Sequence, residues 1–245
     1  MRLDRLVSQH SGVSRREVAG WIRAGRLTVD GVVVRDSGYA VATSVDVVLL
    51  DGAPVRAPTE LTLMLHKPPG CVSATEDAQH ATVLDLLPAS LRRPRLAPIG
   101  RLDKDTTGLL LLTTDGGLQH LIAHPRRKVE KVYLATLRPD TLAPDTEARF
   151  AAGITLADGS VCRPARLQRL PGDRVEVTVV EGKYHQVKRM LGACGGHVTA
   201  LHRQQVGPLR LDPDLPEGQA RPLSAAEVEA LRAAASDPIR HSHRP

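Results

Sequence analysis

The run Leu109-Leu110-Leu111-Leu112 constrains this chain more than any other segment. It follows a polar stretch, Gly100-Arg101-Leu102-Asp103-Lys104-Asp105-Thr106-Thr107-Gly108, and is stopped by Thr113-Thr114-Asp115-Gly116. An apolar run this short, bounded by turn residues, reads as a buried strand rather than a helix. A polar loop carrying Arg101 and Asp103 at the mouth of a rigid strand is where catalytic groups are often held. Taken by itself, Asp103 suits a capping or ion-paired residue better, because structural ion pairs are common.

Around this strand the chain divides. In residues 1–50, Leu3, Leu6 and Val7 recur at helical spacing until Ser11-Gly12. Ser14 and Glu17 have the form of a capping box, Val18, Trp21 and Ile22 give the next helix an apolar face, and Gly25 can take the left-handed stop. Asp30-Gly31 between Leu27-Thr28-Val29 and Val32-Val33-Val34 predicts a hairpin, and Val47 to Leu50 a further strand. Residues 51–60, with their two prolines, read as a linker. Beyond it, Leu61 to Leu65 predicts a strand with His66-Lys67-Pro68-Pro69-Gly70 as its turn, residues 131–137 and 174–180 alternate as strands, and Val187, Met190 and Leu191 mark a helix. Ser224 and Glu227 form a second capping box before a last helix. Strands and helices mix without a βαβ rhythm, so the fold class is α+β. The expected domains are 1–56, 61–235 and a flexible tail at 236–245.

The formal net charge is +6 over 245 residues. Residues 1–35 hold seven arginines (Arg2, Arg5, Arg15, Arg16, Arg23, Arg26 and Arg35) against three acids, Asp4, Glu17 and Asp30. This excess of four positive charges is an electrostatic footprint for phosphates, although a solvated helix face looks the same. Aromatic residues are only 2% of the chain, which disfavours an RNA binder built on stacking platforms and favours recognition of shape and phosphate. The cysteines, Cys71, Cys162 and Cys194, lack CxxC spacing, so neither a zinc site nor a disulfide framework is expected, and free thiols fit the cytoplasm. No signal peptide or membrane span is visible. The chain has no Walker loop, GxGxxG, HExxH or GxSxG, which leaves a carboxylate or histidine mechanism without a metal or cofactor.

Residues 1–50, through R-L-D-R-L-V, S-R-R-E-V and I-R-A-G-R-L-T-V-D-G, resemble the S4 RNA-binding domain. The loop and strand at 100–116, M-L-H-K-P-P-G-C-V-S-A-T at 64–75, V-E-K-V-Y-L-A-T-L at 129–137 and E-G-K-Y-H-Q-V-K-R-M at 181–190 resemble, in order, the motifs of the RsuA/RluB family of rRNA pseudouridine synthases. The match runs over about residues 1–232.

The resemblance implies an S4 domain followed by a mixed-sheet synthase domain, and a uridine of ribosomal RNA as substrate. It places the catalytic carboxylate at Asp103 and the base-packing tyrosine at Tyr133. The family's basic partner of the carboxylate falls on Lys188, where Arg is common, with Arg189 beside it; which of the two pairs with Asp103 stays open. Arg101 is the candidate for filling the stack that the extruded uridine leaves, or for a phosphate contact. Lys67, Arg126, Arg127, Lys128, Arg189 and His202-Arg203 are expected to contact RNA, with the arginines of the first module. The T-T-G after the Asp and the 181–190 text are most similar to members that modify uridine 516 of 16S rRNA, free or in an assembling particle. The competing readings are a large-subunit enzyme of the same family, a non-catalytic S4 assembly factor, and a hydrolase using Asp103 and His185. A monomer is expected.

Overall fold

The computed structural model describes residues 1–43, 45–55 and 60–236, in two compact units divided between Glu60 and Leu61. In the first unit, α1 (Leu3–Ser11) and α2 (Arg15–Arg23) precede a four-stranded sheet ordered β2-β1-β3-β4. Its strands are β1 (Leu27–Val29), β2 (Val32–Val33), β3 (Val48–Leu50) and β4 (Ala53–Pro54). Leu3, Leu6, Val7, Val18, Ile22, Leu27 and Val48 form its core. The Ser14 hydroxyl accepts from the Glu17 N–H while Glu17 accepts from the Ser14 N–H, so the capping box is complete. Asp30 (φ +49°) and Gly31 (φ +81°) both take positive φ, as a tight hairpin turn requires.

The linker reading is corrected over residues 51–55, while residues 56–59 lie outside the described residues. Asp51 and Gly52 make a second turn of the same kind, β4 follows, and Val55 is buried in the first unit's core. Pro54 misled because it lies on an edge strand, where its missing N–H costs nothing.

The second unit is built on a nine-stranded mixed sheet. Its strands are β5 (Thr62–Lys67), β6 (Ala97–Ile99), β7 (Thr107–Thr113), β8 (Lys131–Leu137), β9 (Arg166–Leu170), β10 (Arg174–Val179), β11 (Val198–Val206), β12 (Leu209–Arg210) and β13 (Ala220–Pro222). The main order is β13-β5-β7-β11-β8-β10-β9, with β6 paired to β7 and β12 to β11. Among the described strand pairs of this sheet only β7–β11 is parallel, so the class is α+β. The helices are α3 (Gly116–Ala123), α4 (Thr146–Ala152), α5 (Gln186–Ala193) and α6 (Ala225–Ser236).

The four leucines explain the central position of β7. Leu110 and Leu112 pack into a core with Leu63, Leu65, Phe150, Val177, Met190 and Leu191. Leu109 and Leu111 point the other way, against Met64, Leu118, Ile122 and Leu231. Both faces of the strand are therefore covered, which removes the usual apolar–polar alternation. Strand β5 extends through His66 and Lys67, which pair with Leu109 and Gly108, so these two residues are strand and not turn. The tail expected at 236–245 begins on Ser236, the last residue of α6, and otherwise lies outside the described residues.

Candidate active site

Asp103 lies on the loop between β6 and β7, and interior donors hold that loop by its carbonyls. The Ser73 hydroxyl donates to Leu102 O at 2.9 Å and accepts from Leu102 N–H at 3.0 Å. Lys67 Nζ donates to the carbonyls of Pro68, Lys104 and Thr106 at 2.9, 3.3 and 3.0 Å. The Gly70 N–H also donates to Lys104 O, and the Thr106 N–H closes a turn onto Asp103 O. A loop bonded this way presents one geometry, as a reacting carboxylate needs.

Helix α5 supplies the countercharge. Lys188 Nζ is 3.3 Å from Asp103 Oδ2 and 2.5 Å from Asp105 Oδ1. His185, at φ +47° just before the helix, brings Nε2 to 3.4 Å from Asp103 Oδ1. The hydrogen bond from Lys188 holds the Asp105 carboxyl below its ordinary range. Arg189 turns away and pairs with Asp158 at 2.6 Å. Of the two cations that the sequence left open, Lys188 is the one beside Asp103.

Tyr133 stands on β8 with its ring nearly covered, and Arg203 lies across from it on β11. Arg203 Nη1 donates to the Tyr133 hydroxyl at 3.3 Å, and its Nε donates to Leu109 O at 2.7 Å. The approach of β11 to β7 depends on Gly108. Its φ is +104°, and a Cβ there would meet the Arg203 carbonyl oxygen at 2.3 Å. Asp103, Tyr133, Arg203, Lys131, His185 and Arg101 all line one cavity of about 640 Å³. That size falls in the ~300–1,000 Å³ range of small-molecule sites.

Two expected phosphate contacts, Lys67 and Arg203, are corrected. Lys67 is 0% exposed and its three protons go to loop carbonyls. Burial lowers its pKa, while Cys71, Asp105 and Asp103 favour the ammonium. Arg203 is 2% exposed and braces Tyr133 and the Asp103 loop. His202 is half-buried, with Nδ1 2.8 Å from the Thr107 hydroxyl. Neither Lys67 nor Arg203 is open to an RNA backbone.

Arg101, Arg126, Arg127 and Lys128 are exposed. In the first unit Arg2 and Arg15 both bond the buried Asp4, and Arg26 pairs with Asp51 beside Trp21. Arg5 is exposed, as are Arg16 and Arg23. Arg16 and Arg23 form no ion pair among the described residues. Sequence reasoning missed Lys131 and gave His185 no place in the leading site. The available signals were Lys131 two residues before Tyr133 on an alternating strand, and His185 three residues before Lys188.

The comparisons with known proteins give the family. The RNA pseudouridylate synthase family model matches residues 61–193, and the S4 domain model matches residues 1–47. The ribosomal small subunit pseudouridine synthase A of Yersinia pestis is 44% identical over 95% of this chain and 99% of its own. The proteins of the same name from Escherichia coli K12 and Pseudomonas aeruginosa are 42% and 44% identical, over 94% and 93% of this chain and 100% and 99% of theirs. A crystal structure of a pseudouridylate synthase, 35% identical, superposes with a TM-score of 0.66 over 94% of this chain and 99% of that one. The chain therefore belongs to the RNA pseudouridylate synthase family, as an enzyme with an S4 domain ahead of its synthase domain.

Proposed function

We propose that this enzyme isomerises one uridine of small-subunit ribosomal RNA, uridine 516 of 16S rRNA, in the cytoplasm and as a monomer. The observation that carries the chemistry is Asp103, fixed between Lys188 and His185 on the wall of a cavity that Tyr133 shares. The near full-length similarity to three small-subunit synthases supports the choice of RNA.

The uridine enters the cavity by leaving its stack, at a cost of a few kcal/mol. Arg101, exposed at the cavity, takes a phosphate or fills the gap. Tyr133 packs against the base. Asp103 engages the ribose or the ring as the N1–C1′ bond breaks, and the base turns and rejoins through C5. Exposed cations, Arg16 and Arg23 in the first unit and Arg126, Arg127 and Lys128 in the second, meet the backbone.

The test is to map pseudouridine in rRNA from cells lacking the gene, complemented with wild type or with Asp103→Asn. Loss of the small-subunit modification, restored by wild type alone, is the expected result. Loss of a large-subunit position instead, or restoration by Asp103→Asn, overturns the reading.

A further inference from the structure

We infer that Lys131 and Arg203 form a cationic wall that stabilises the uracil anion set free when the glycosidic bond of the target breaks. The inference rests on the proposed isomerisation and names two residues for its charge-separated step. Lys131 opens β8 two residues before Tyr133 and on the same face, about 7 Å along the strand. Arg203 pairs with Tyr133 across β8 and β11. Both line the cavity that holds Asp103.

Neither cation forms an ion pair among the described residues. The Lys131 ammonium donates to Val129 O at 3.1 Å. Arg203 donates to two carbonyls and to the Tyr133 hydroxyl, and its Nη2 has no partner although the residue is 2% exposed. The carboxylate whose charge favours the Lys131 ammonium, Glu181, accepts at Oε1 from the Arg163 N–H and the Gln186 amide at 2.9 and 2.8 Å. Asp103 is already matched by Lys188 and His185. The cavity is also lined by His80, His124 and Tyr184, by the hydroxyls of Ser73 and Thr106, by the exposed Lys104 and Arg101, and by Lys183, whose Nζ donates to Val161 O. Burial, together with the Arg203 charge and against Glu181, pushes the Lys131 pKa down to about 8. A buried donor without a partner is destabilising, and two unmatched cations in one wall repel each other. Such an arrangement is compensated when an anion arrives.

The reaction supplies one at that position. When N1–C1′ breaks heterolytically, the electron pair stays on N1, and the detached base carries one negative charge spread over its ring nitrogens and carbonyl oxygens. Asp103 meets the deficit on the sugar, by bonding C1′ or by taking the C2′ proton. After the ring turns, C5 bonds to C1′ with the ring's own electrons, and Asp103 is released or returns its proton. The C5 hydrogen leaves as a proton and N1 gains one, so no oxidant or reductant enters. Fixed cations aimed at charge that exists only during this interval lower the barrier without tightening ground-state binding.

The test compares Lys131→Gln, Lys131→Arg and wild type on small-subunit rRNA transcribed with uridine or with 5-fluorouridine. Single-turnover rates at saturating RNA are read as consumption of the N-linked nucleoside in digests. Fluorine makes the base a better leaving group, so it needs less help from a cation. Lys131→Gln should slow the uridine reaction by ~10²-fold, as loss of one such donor does, and the fluorinated one at least about tenfold less. Lys131→Arg should recover most of the rate. Equal slowing of both substrates overturns the inference. So does an unchanged saturated rate with weaker RNA binding, which would make Lys131 a phosphate contact. Melting curves exclude variants that fail to fold, and Lys131→Arg then carries the comparison through its own ratio of the two rates. Failure of the wild type on the uridine RNA strikes the proposed function instead, because the inference is read only from ratios between variants.

Discussion

Replacing Lys188 by Met tests the pairing at the centre of the site. Lys188 Nζ is 3.3 Å from Asp103 Oδ2, and the two side chains are 23% and 24% exposed. At that distance and an effective dielectric constant of ~20, their attraction is roughly 5 kcal/mol before solvation is counted. Solvation and the second carboxylate, Asp105, reduce what the pair contributes. Removing one partner of a covered pair typically costs ~3–5 kcal/mol, and the partial exposure here favours the lower end. Without Lys188 only His185 remains beside Asp103, which then turns toward water and away from the reacting sugar. A loss of ~3 kcal/mol in the chemical step is a rate drop of about 10²-fold. Tritium release from RNA carrying 5-tritiated uridine, in a single turnover at saturating enzyme, measures it. Lys188→Arg should retain much of the rate. Arg189→Met, which breaks the pair with Asp158 and the bond to Tyr184 O but no contact with Asp103, should stay within a few fold of wild type. A wild-type rate for Lys188→Met, or a larger loss for Arg189→Met, refutes the reasoning.

Lys67→Met should cut turnover by more than about tenfold while lowering stability by ~3 kcal/mol at most, because losing three bonds to the Asp103 loop is offset by relief of a buried ammonium; urea melts and single-turnover rates check both. Gly108→Ala forces a Cβ to 2.3 Å from the Arg203 carbonyl at φ +104°, so a drop of at least ~3 kcal/mol is expected in urea denaturation, and an unchanged midpoint counts against the close β7–β11 approach. The wild-type rate should fall as pH rises through about 8, where the Lys131 ammonium is lost, and Lys131→Arg should move that fall to higher pH. In the folded chain a hydrogen bond from Arg221, opposed by burial and aided by Ser224, holds the Glu227 carboxyl down at about 2 against an ordinary 4.5. Its contribution is therefore complete above about 4.5 and lost as pH falls toward 2, and Glu227→Gln should flatten that limb of an acid titration.

The parts of the fold visible in the sequence were those written in local chemistry. The Ser14–Glu17 box, the Asp30-Gly31 turn and the leucine strand each carry their cause within a few residues. Asp103, Tyr133 and Lys188 emerged because several motifs agreed in order, and the fold brings all three to one region. Lys67 and Arg203 were misjudged because charge was taken as a sign of solvent. Their positions within the strands said otherwise. Lys67 alternates in phase with the buried Leu63 and Leu65, and Arg203 with the buried Leu201. Burying either is tolerable only where its donors are met, and the acceptors are mostly backbone carbonyls, which have no letter in the sequence.

The choice between Lys188 and Arg189 was hidden for a related reason. Neighbouring residues on a helix point about 100° apart, so the answer depends on where α5 begins. His185 in a left-handed conformation starts the helix at Gln186. That start sets His185 and Lys188, three residues apart, on the Asp103 side, and sends Arg189 toward Asp158. The same phase argument applies to Lys131 on β8. Strand period puts it with Tyr133 and Ala135 on the covered face, and the cavity then gives its charge something to act on. In this enzyme the period of the element, more than the charge of the residue, decides which cations face solvent and which line the cavity.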